Sequence, residues 1–166
     1  MKLSAQNNAN LTPSCLHRPK LAVVIIYEGR AAGQRAKYFY ENLARDLRGK
    51  YDVNLNLWNL PILAISQIGH LASQVAAKAN VVILSLCGDV ELPAEIREWI
   101  ETWSQLITDN DPALVLLVDR HQTGKTRVAV DYLPGVANKL GIDFFAEGGI
   151  VPEFDLGLPR VGNRQP

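Results

Sequence analysis

The sequence is 166 residues long, with 48% apolar and 20% charged side chains, fractions that are typical of soluble globular proteins. This composition excludes a disordered chain, a collagen and a disulfide scaffold, and the length predicts about one domain. Seventeen basic residues balance seventeen acidic ones, so no overall field draws the protein to a nucleic acid or a membrane, and we expect neither as a partner. The two cysteines, Cys15 and Cys87, have no metal-type spacing and predict a reducing, cytoplasmic location.

The two ends of the chain differ in composition from its middle. Residues 1–20 are polar and lack the apolar segment of a signal peptide, and we predict that they form a flexible arm. Residues 147–166 contain seven glycines and prolines, which predict an irregular tail over 150–166. A single domain is therefore expected over 21–149.

Strand and helix patterns alternate through that domain. The β-branched or alternating runs predict five strands, at residues 21–27, 52–58, 81–86, 113–118 and 142–146. Apolar residues at helical spacing fill the four intervals, over residues 36–47, 68–79, 93–106 and 128–140. The alternation in 52–58 is typical of an edge strand, and Pro134 predicts a kink or a late start in the last helix.

This order of elements predicts an α/β fold, a doubly wound sheet of five parallel strands with helices on both faces. The default strand order is 2-1-3-4-5, which puts the chain reversal between strands one and three. The pattern of residues 21–149 resembles the flavodoxin-like group, which includes flavodoxins and response-regulator receiver domains. The chain also resembles small bacterial proteins through Gly88, Asp89, Leu92, Pro93, Glu95, Trp99 and Trp103. That second resemblance implies no activity.

Ligands of such sheets bind beyond the carboxyl ends of the strands, near the reversal. The candidate ligand-binding residues there are Glu28, Gly29, Arg30, Gly33, Arg35, Gly88, Asp89 and Asp119. The two glycines after strand one predict a helix that begins just beyond Gly33. Its N-terminus, together with Arg30 and Arg35, predicts a weak site for a small anion, which Glu28 opposes.

The resemblance to flavodoxins implies a Ser/Thr-rich loop after strand one that holds the phosphate of FMN. Residues 28–35 contain no hydroxyl side chain, and Glu28 would repel a phosphate. We therefore expect no cofactor, FMN included. A receiver domain would need a Ser or Thr after strand four and a Lys after strand five, where this chain has Asp119 and Glu147.

Two further motifs are incomplete. Glu28-Gly29 and Asp89-Val90-Glu91 are similar to the acidic motif of Toprim nucleases, but acidic residues are ordinary caps at strand ends, and we predict no metal site. Residues 120–126 lie between a strand and a helix, as a P-loop does. Asp119 stands where that motif needs its first glycine, so we interpret the segment as a solvated basic loop.

Cys87, Asp89 and His121 are the candidate catalytic residues. A thiol near a helix N-terminus can be nucleophilic, and His121 is the histidine expected at the same sheet edge. A free cysteine is more commonly a packing residue. We predict that Trp99 and Trp103, four residues apart, pack in the core. Trp58, at the end of an edge strand, is the better candidate for an exposed anchor.

These patterns predict a non-catalytic module that binds a partner protein, a second copy included, or a small regulatory ligand. The alternative is an enzyme that acts on a small phosphate- or carboxylate-bearing substrate at the reversal point. That enzyme would use Glu28, Cys87, Asp89 or His121.

Overall fold

The computed structural model describes residues 17–87, 92–118 and 127–147, with the backbone alone at 127–130 and 147. Its strands are β1 (Lys20–Tyr27), β2 (Asp52–Asn59), β3 (Val81–Ser85), β4 (Ala113–Leu117) and β5 (Phe144–Glu147). Its helices are α1 (Gly29–Asp46), α2 (Leu60–Leu63), α3 (Ser66–Ala77), α4 (Ala94–Leu106) and α5 (Arg127–Leu140). The predicted arm and tail, apart from residues 17–20, lie outside the described residues.

The five strands form one parallel sheet in the order β2-β1-β3-β4-β5. The predicted α/β fold, strand order and edge position of β2 are therefore confirmed. The three central strands are the runs of continuous apolar residues, and β3 and β4 are buried at every position. Apolar side chains on both faces are what a covered parallel sheet requires.

The two faces of the sheet carry separate core clusters. The smaller cluster joins Val23 and Ile25 of β1 to Ala36 of α1. The larger cluster joins Val24 and Ile26, on the opposite face, to side chains of α2, α3, α4 and α5. Helices thus cover both faces, as predicted, and α1 is the helix of the smaller cluster among the described residues.

Apart from shifts of one or two residues, the helices differ from the prediction at three places. Helix α1 begins at Gly29, so the prediction of a start beyond Gly33 was wrong, because the chain enters the helix directly from β1. The short helix α2 was not predicted, since four residues are too few to show a helical period. Helix α5 runs from Arg127 through Pro134, so the late start was wrong as well.

The tryptophans separate into core and edge. Trp99 and Trp103 are buried, with ring centroids 5.4 Å apart and planes 10° from parallel, which confirms their core position. Trp58 is half-buried against the larger cluster, so the prediction of an exposed anchor was wrong. Strand alternation directs Trp58 toward the face that α2 and α3 cover and leaves Leu57 54% exposed.

Within the described part of the chain, no helix is both long enough and apolar enough to cross a bilayer.

Candidate functional site

The reversal point of the sheet lies where β1 and β3 end side by side, with Tyr27 opposite Ser85. The chain passes from β1 into α1 without a loop, because Glu28 is the N-cap residue and Gly29 is the first residue of the helix. Gly29 has a φ of +72°, a conformation that glycine adopts at little cost. There is consequently no stretch of chain between β1 and α1 that could wrap around a phosphate.

Glu28 bridges the ends of the two strands. Its backbone N–H donates to the carbonyl of Ser85 at 2.9 Å, and its Oε2 accepts a hydrogen bond from the backbone N–H of Cys87 at 3.0 Å. The thiol of Cys87 in turn donates to the carbonyl of Glu28 at 2.9 Å. The carboxylate therefore satisfies a backbone donor of the β3 end and does not cap its own helix.

A second pair of hydrogen bonds ties α1 to the same end of β3. The buried hydroxyl of Ser85 donates to the carbonyl of Ala32 at 2.8 Å, and Nη2 of Arg35 donates to the carbonyl of Leu86 at 2.8 Å. Arg30, by contrast, is exposed. The two arginines of the predicted anion site thus have different surroundings, and Arg35 is bound to the β3 end.

Gly33 lies inside α1 against the ring of Tyr27. A Cβ atom at this position would lie 2.9 Å from Cδ2 of that ring, so only glycine lets the helix approach this closely. Its role is helix–strand packing, which differs from the phosphate-loop geometry that its spacing from Gly29 suggested.

The remaining candidate residues fall outside the described part of the chain: Gly88, Asp89, Glu91, Asp119 and His121. The basic segment 120–126 lies there as well. The candidate pairing of Cys87 with His121 and the prediction that the acidic set with Asp89 forms no metal site therefore stay untested. Among the described residues, no group of three His, Cys, Asp or Glu side chains is placed to hold a metal ion.

Ser85 is the site residue that sequence reasoning missed. It is the polar residue in an otherwise apolar run, Val81 to Leu86. A buried hydroxyl must find a hydrogen-bond partner. This single polar residue was the signal in the sequence that β3 forms a side-chain hydrogen bond with a neighbouring element, which is α1.

Chemically, the described part of this site is a set of groups that bond to one another. The side chains of Glu28, Ser85, Arg35 and Cys87 each contact a backbone group of the neighbouring element. Cys87 is half-exposed, but its hydrogen is directed to a carbonyl. The arrangement fixes α1 to β3, and among these side chains Nε of Arg35 is a buried donor without a hydrogen-bond partner.

No protein-family model and no curated protein sequence matches this chain. Among solved structures, it is similar to a short-chain flavodoxin associated with a non-canonical PDU bacterial microcompartment, with 12% sequence identity and a TM-score of 0.52. That match covers 82% of this chain and 90% of the flavodoxin. The Trp repressor binding protein from Bacillus subtilis matches with 10% identity and a TM-score of 0.49, over 80% of this chain and 90% of that one. Together with the strand order, the first likeness shows that the chain has the flavodoxin-like fold.

Proposed function

We propose that this protein is a non-catalytic protein-binding module that associates with a second copy of itself through the free edge of β2. The observation that carries the proposal is the distribution of exposed apolar side chains. Four of the five large ones in the described part of the chain lie between residues 57 and 71. We name these four, Leu57, Ile62, Ile65 and Leu71, the apolar corner.

The edge strand itself supports this proposal. Within the described residues, β2 pairs with β1 on one side only. Natural edge strands are usually protected by charged residues or proline, whereas β2 has one charged residue, Asp52 at its first position, and neither kind over residues 53–59. An unprotected edge is a template for pairing with another strand.

The apolar corner lies in β2 and in the segment with the two helices that follow it in the chain. Leu57 on β2 is 54% exposed, and Ile62 and Ile65, which follow directly, are 43% and 54% exposed. Leu71 on α3 is 50% exposed. Exposed apolar side chains concentrated in one segment of the chain favour an interface with another protein.

A second copy is the partner that fits such an edge most simply. Two β2 strands related by a two-fold axis run antiparallel, and each satisfies the backbone groups of the other. The same apolar corner then occurs on both sides of the axis, so the surface is complementary to itself. A continuous sheet through two copies would result.

The hydrogen bonds between side chains and backbone at the reversal point support the proposal that the module is non-catalytic. Glu28 and Cys87, two candidates for the alternative enzyme, bond to each other's backbone groups. We propose that the module acts without a cofactor, and its two isolated cysteines support a cytoplasmic location.

Sedimentation equilibrium of the full chain tests the proposal. We expect a dimer, and we expect Leu57→Lys to weaken it by at least about tenfold, because a two-fold interface contains the substitution twice. Tyr38→Lys is the matched control, since Tyr38 is 69% exposed and lies on α1, outside the apolar corner. Its dimer should match that of the parent.

Two outcomes contradict this proposal. A parent protein that stays monomeric up to about 100 μM has a dimer dissociation constant well above that concentration, which contradicts the proposed dimer. A dimer that Tyr38→Lys weakens as much as Leu57→Lys is not formed through β2. Circular dichroism of each variant confirms that it is folded.

A further inference from the structure

A cavity of about 580 Å³ lies at the opposite end of the sheet, where α1 ends and β2 begins. The side chains that matter for its chemistry are those of Arg18, Arg45, Arg48, Tyr40 and Tyr51. They come from three segments of the chain. The segment before β1 reaches this place because the backbone N–H of Asp52 donates to the carbonyl of Pro19 at 2.9 Å.

The cavity is strongly basic in a chain of zero net charge. Three arginines line it, and Glu41 is its acidic lining residue. Glu41 forms an ion pair with Lys37, with Nζ and Oε1 3.6 Å apart. Within the described part of the chain, none of the three guanidinium groups has a carboxylate partner.

The position of one of these arginines is favoured by the dipole of α1. Arg45 lies in the last turn of α1, where a cation interacts favourably with the free carbonyls of the helix end. The same effect does not extend to Arg18, which comes from the segment before β1. Three like charges around one concavity repel each other, and an anion bound between them would remove that repulsion.

Two tyrosines give the cavity an aromatic side. Tyr40 and Tyr51 are half-buried and pack against the smaller core cluster, so their rings are held by the fold. A planar guanidinium binds a phosphate through two parallel hydrogen bonds, and an aromatic ring offers a stacking surface. The volume is within the range of small-molecule sites.

We propose that this cavity binds a small organic phosphate. The phosphate lies among Arg18, Arg45 and Arg48, and the aromatic body of the ligand packs against Tyr40 and Tyr51. The site is at the amino ends of the strands, opposite the reversal point. It does not depend on self-association through β2.

Isothermal titration calorimetry of the full chain tests this, with ADP, pyrophosphate and adenosine as probes. We expect ADP to bind more tightly than pyrophosphate, because the base adds contact with the rings, and adenosine to show no binding. The double variant Arg45→Gln/Arg48→Gln should bind ADP at least about a hundredfold more weakly, since it loses two charge-assisted hydrogen-bond donors. Tyr40→Leu should weaken ADP and leave pyrophosphate unchanged.

The matched control is Lys78→Gln/Lys139→Gln, which removes the same charge from exposed positions on other elements. Its affinity for ADP should equal that of the parent. An equal loss in both double variants would show a general effect of net charge and overturn the site. Absence of ADP binding would also overturn it, as would equal affinities for ADP and pyrophosphate or binding of adenosine alone.

Discussion

The two ends of the sheet use their polar groups in opposite ways. At the carboxyl ends of β1 and β3, Glu28, Ser85 and Cys87 bond to backbone groups of the neighbouring element. At the amino end, Arg18 and Arg48 line an open cavity and form no ion pair within the described residues. The fold rule points to the first end as the ligand site, whereas the second end brings three arginines together without a carboxylate partner among the described residues.

This difference shows that the usual place for a ligand in a fold does not decide whether the polar groups there are available to bind one. A donor that already has an acceptor inside the protein contributes to stability, and a ligand must compete for it. A donor that faces water keeps its capacity for a ligand and contributes little to stability. Substitutions at the two ends should therefore change different measured quantities.

The largest expected effect is that of Glu28→Ala. The substitution leaves the N–H of Cys87 without its acceptor, and we expect the free energy of unfolding to fall by about 1–3 kcal/mol. Glu28→Gln keeps an acceptor oxygen and should lose less. Urea denaturation followed by circular dichroism measures both.

Glu41→Ala is the control, because Glu41 is exposed and solvent screens its ion pair with Lys37. It should change stability by less than about 0.5 kcal/mol. Equal losses for Glu28→Ala and Glu41→Ala would mean that the bridge between β1 and β3 carries no stability, and the comparison of the two ends would fail.

The next effect concerns the thiol of Cys87. Its hydrogen is donated to the carbonyl of Glu28 beside the carboxylate of the same residue, so attack by sulfur requires this contact to open. The measurement uses a Cys15→Ser background, so that Cys87 is the thiol that reacts. We expect the native protein to react with a disulfide reagent about fivefold to tenfold more slowly than the unfolded chain, because this ratio corresponds to the free energy of one hydrogen bond. A native rate faster than the unfolded rate would instead identify a nucleophile and revive the enzyme alternative.

Most of the fold was predictable because its signals are local. The runs at 21–27, 81–86 and 113–118 are apolar at every position except Ser85, and such runs indicate central parallel strands. The alternation of 52–58 gave the edge position of β2. The errors at α2 and Trp58 arose where a short element or the face of a single side chain depends on packing.

The contacts of the site were not predictable in the same way. The hydrogen bond that the N–H of Cys87 donates to the carboxylate of Glu28 joins residues 59 apart in the chain. It forms only because β1 and β3 pair with Tyr27 opposite Ser85. The basic cavity combines Arg18 with Arg45 and Arg48, which share no spacing that a motif could report. The register of β1 against β3 and the meeting of these three arginines are set only when the sheet has assembled.

A smaller effect is expected for Arg35→Ala. Nη2 of Arg35 donates to the carbonyl of Leu86 at 2.8 Å, and loss of one such hydrogen bond should lower the free energy of unfolding by about 1 kcal/mol. Arg30→Ala, on the same helix but exposed, should change it by less than about 0.5 kcal/mol. Thermal melts of the two variants side by side measure the difference, and an equal shift would show that the contact with Leu86 is energetically neutral.

The smallest effect on stability is expected at the basic cavity. Removal of Arg45 from the last turn of α1 loses a favourable interaction with the helix end of about 0.3–1 kcal/mol, while removal of both charges relieves repulsion with Arg18. These terms oppose each other, so Arg45→Gln/Arg48→Gln should leave the free energy of unfolding within about 0.5 kcal/mol of the parent. Salt screens the helix-end interaction as well as the repulsion, so the difference in stability between the variant and the parent should stay within about 0.5 kcal/mol at low and at high ionic strength. Urea titrations at low and high salt test both statements. A loss of more than about 1 kcal/mol in the variant would show that these arginines serve the fold, as the residues at the other end do.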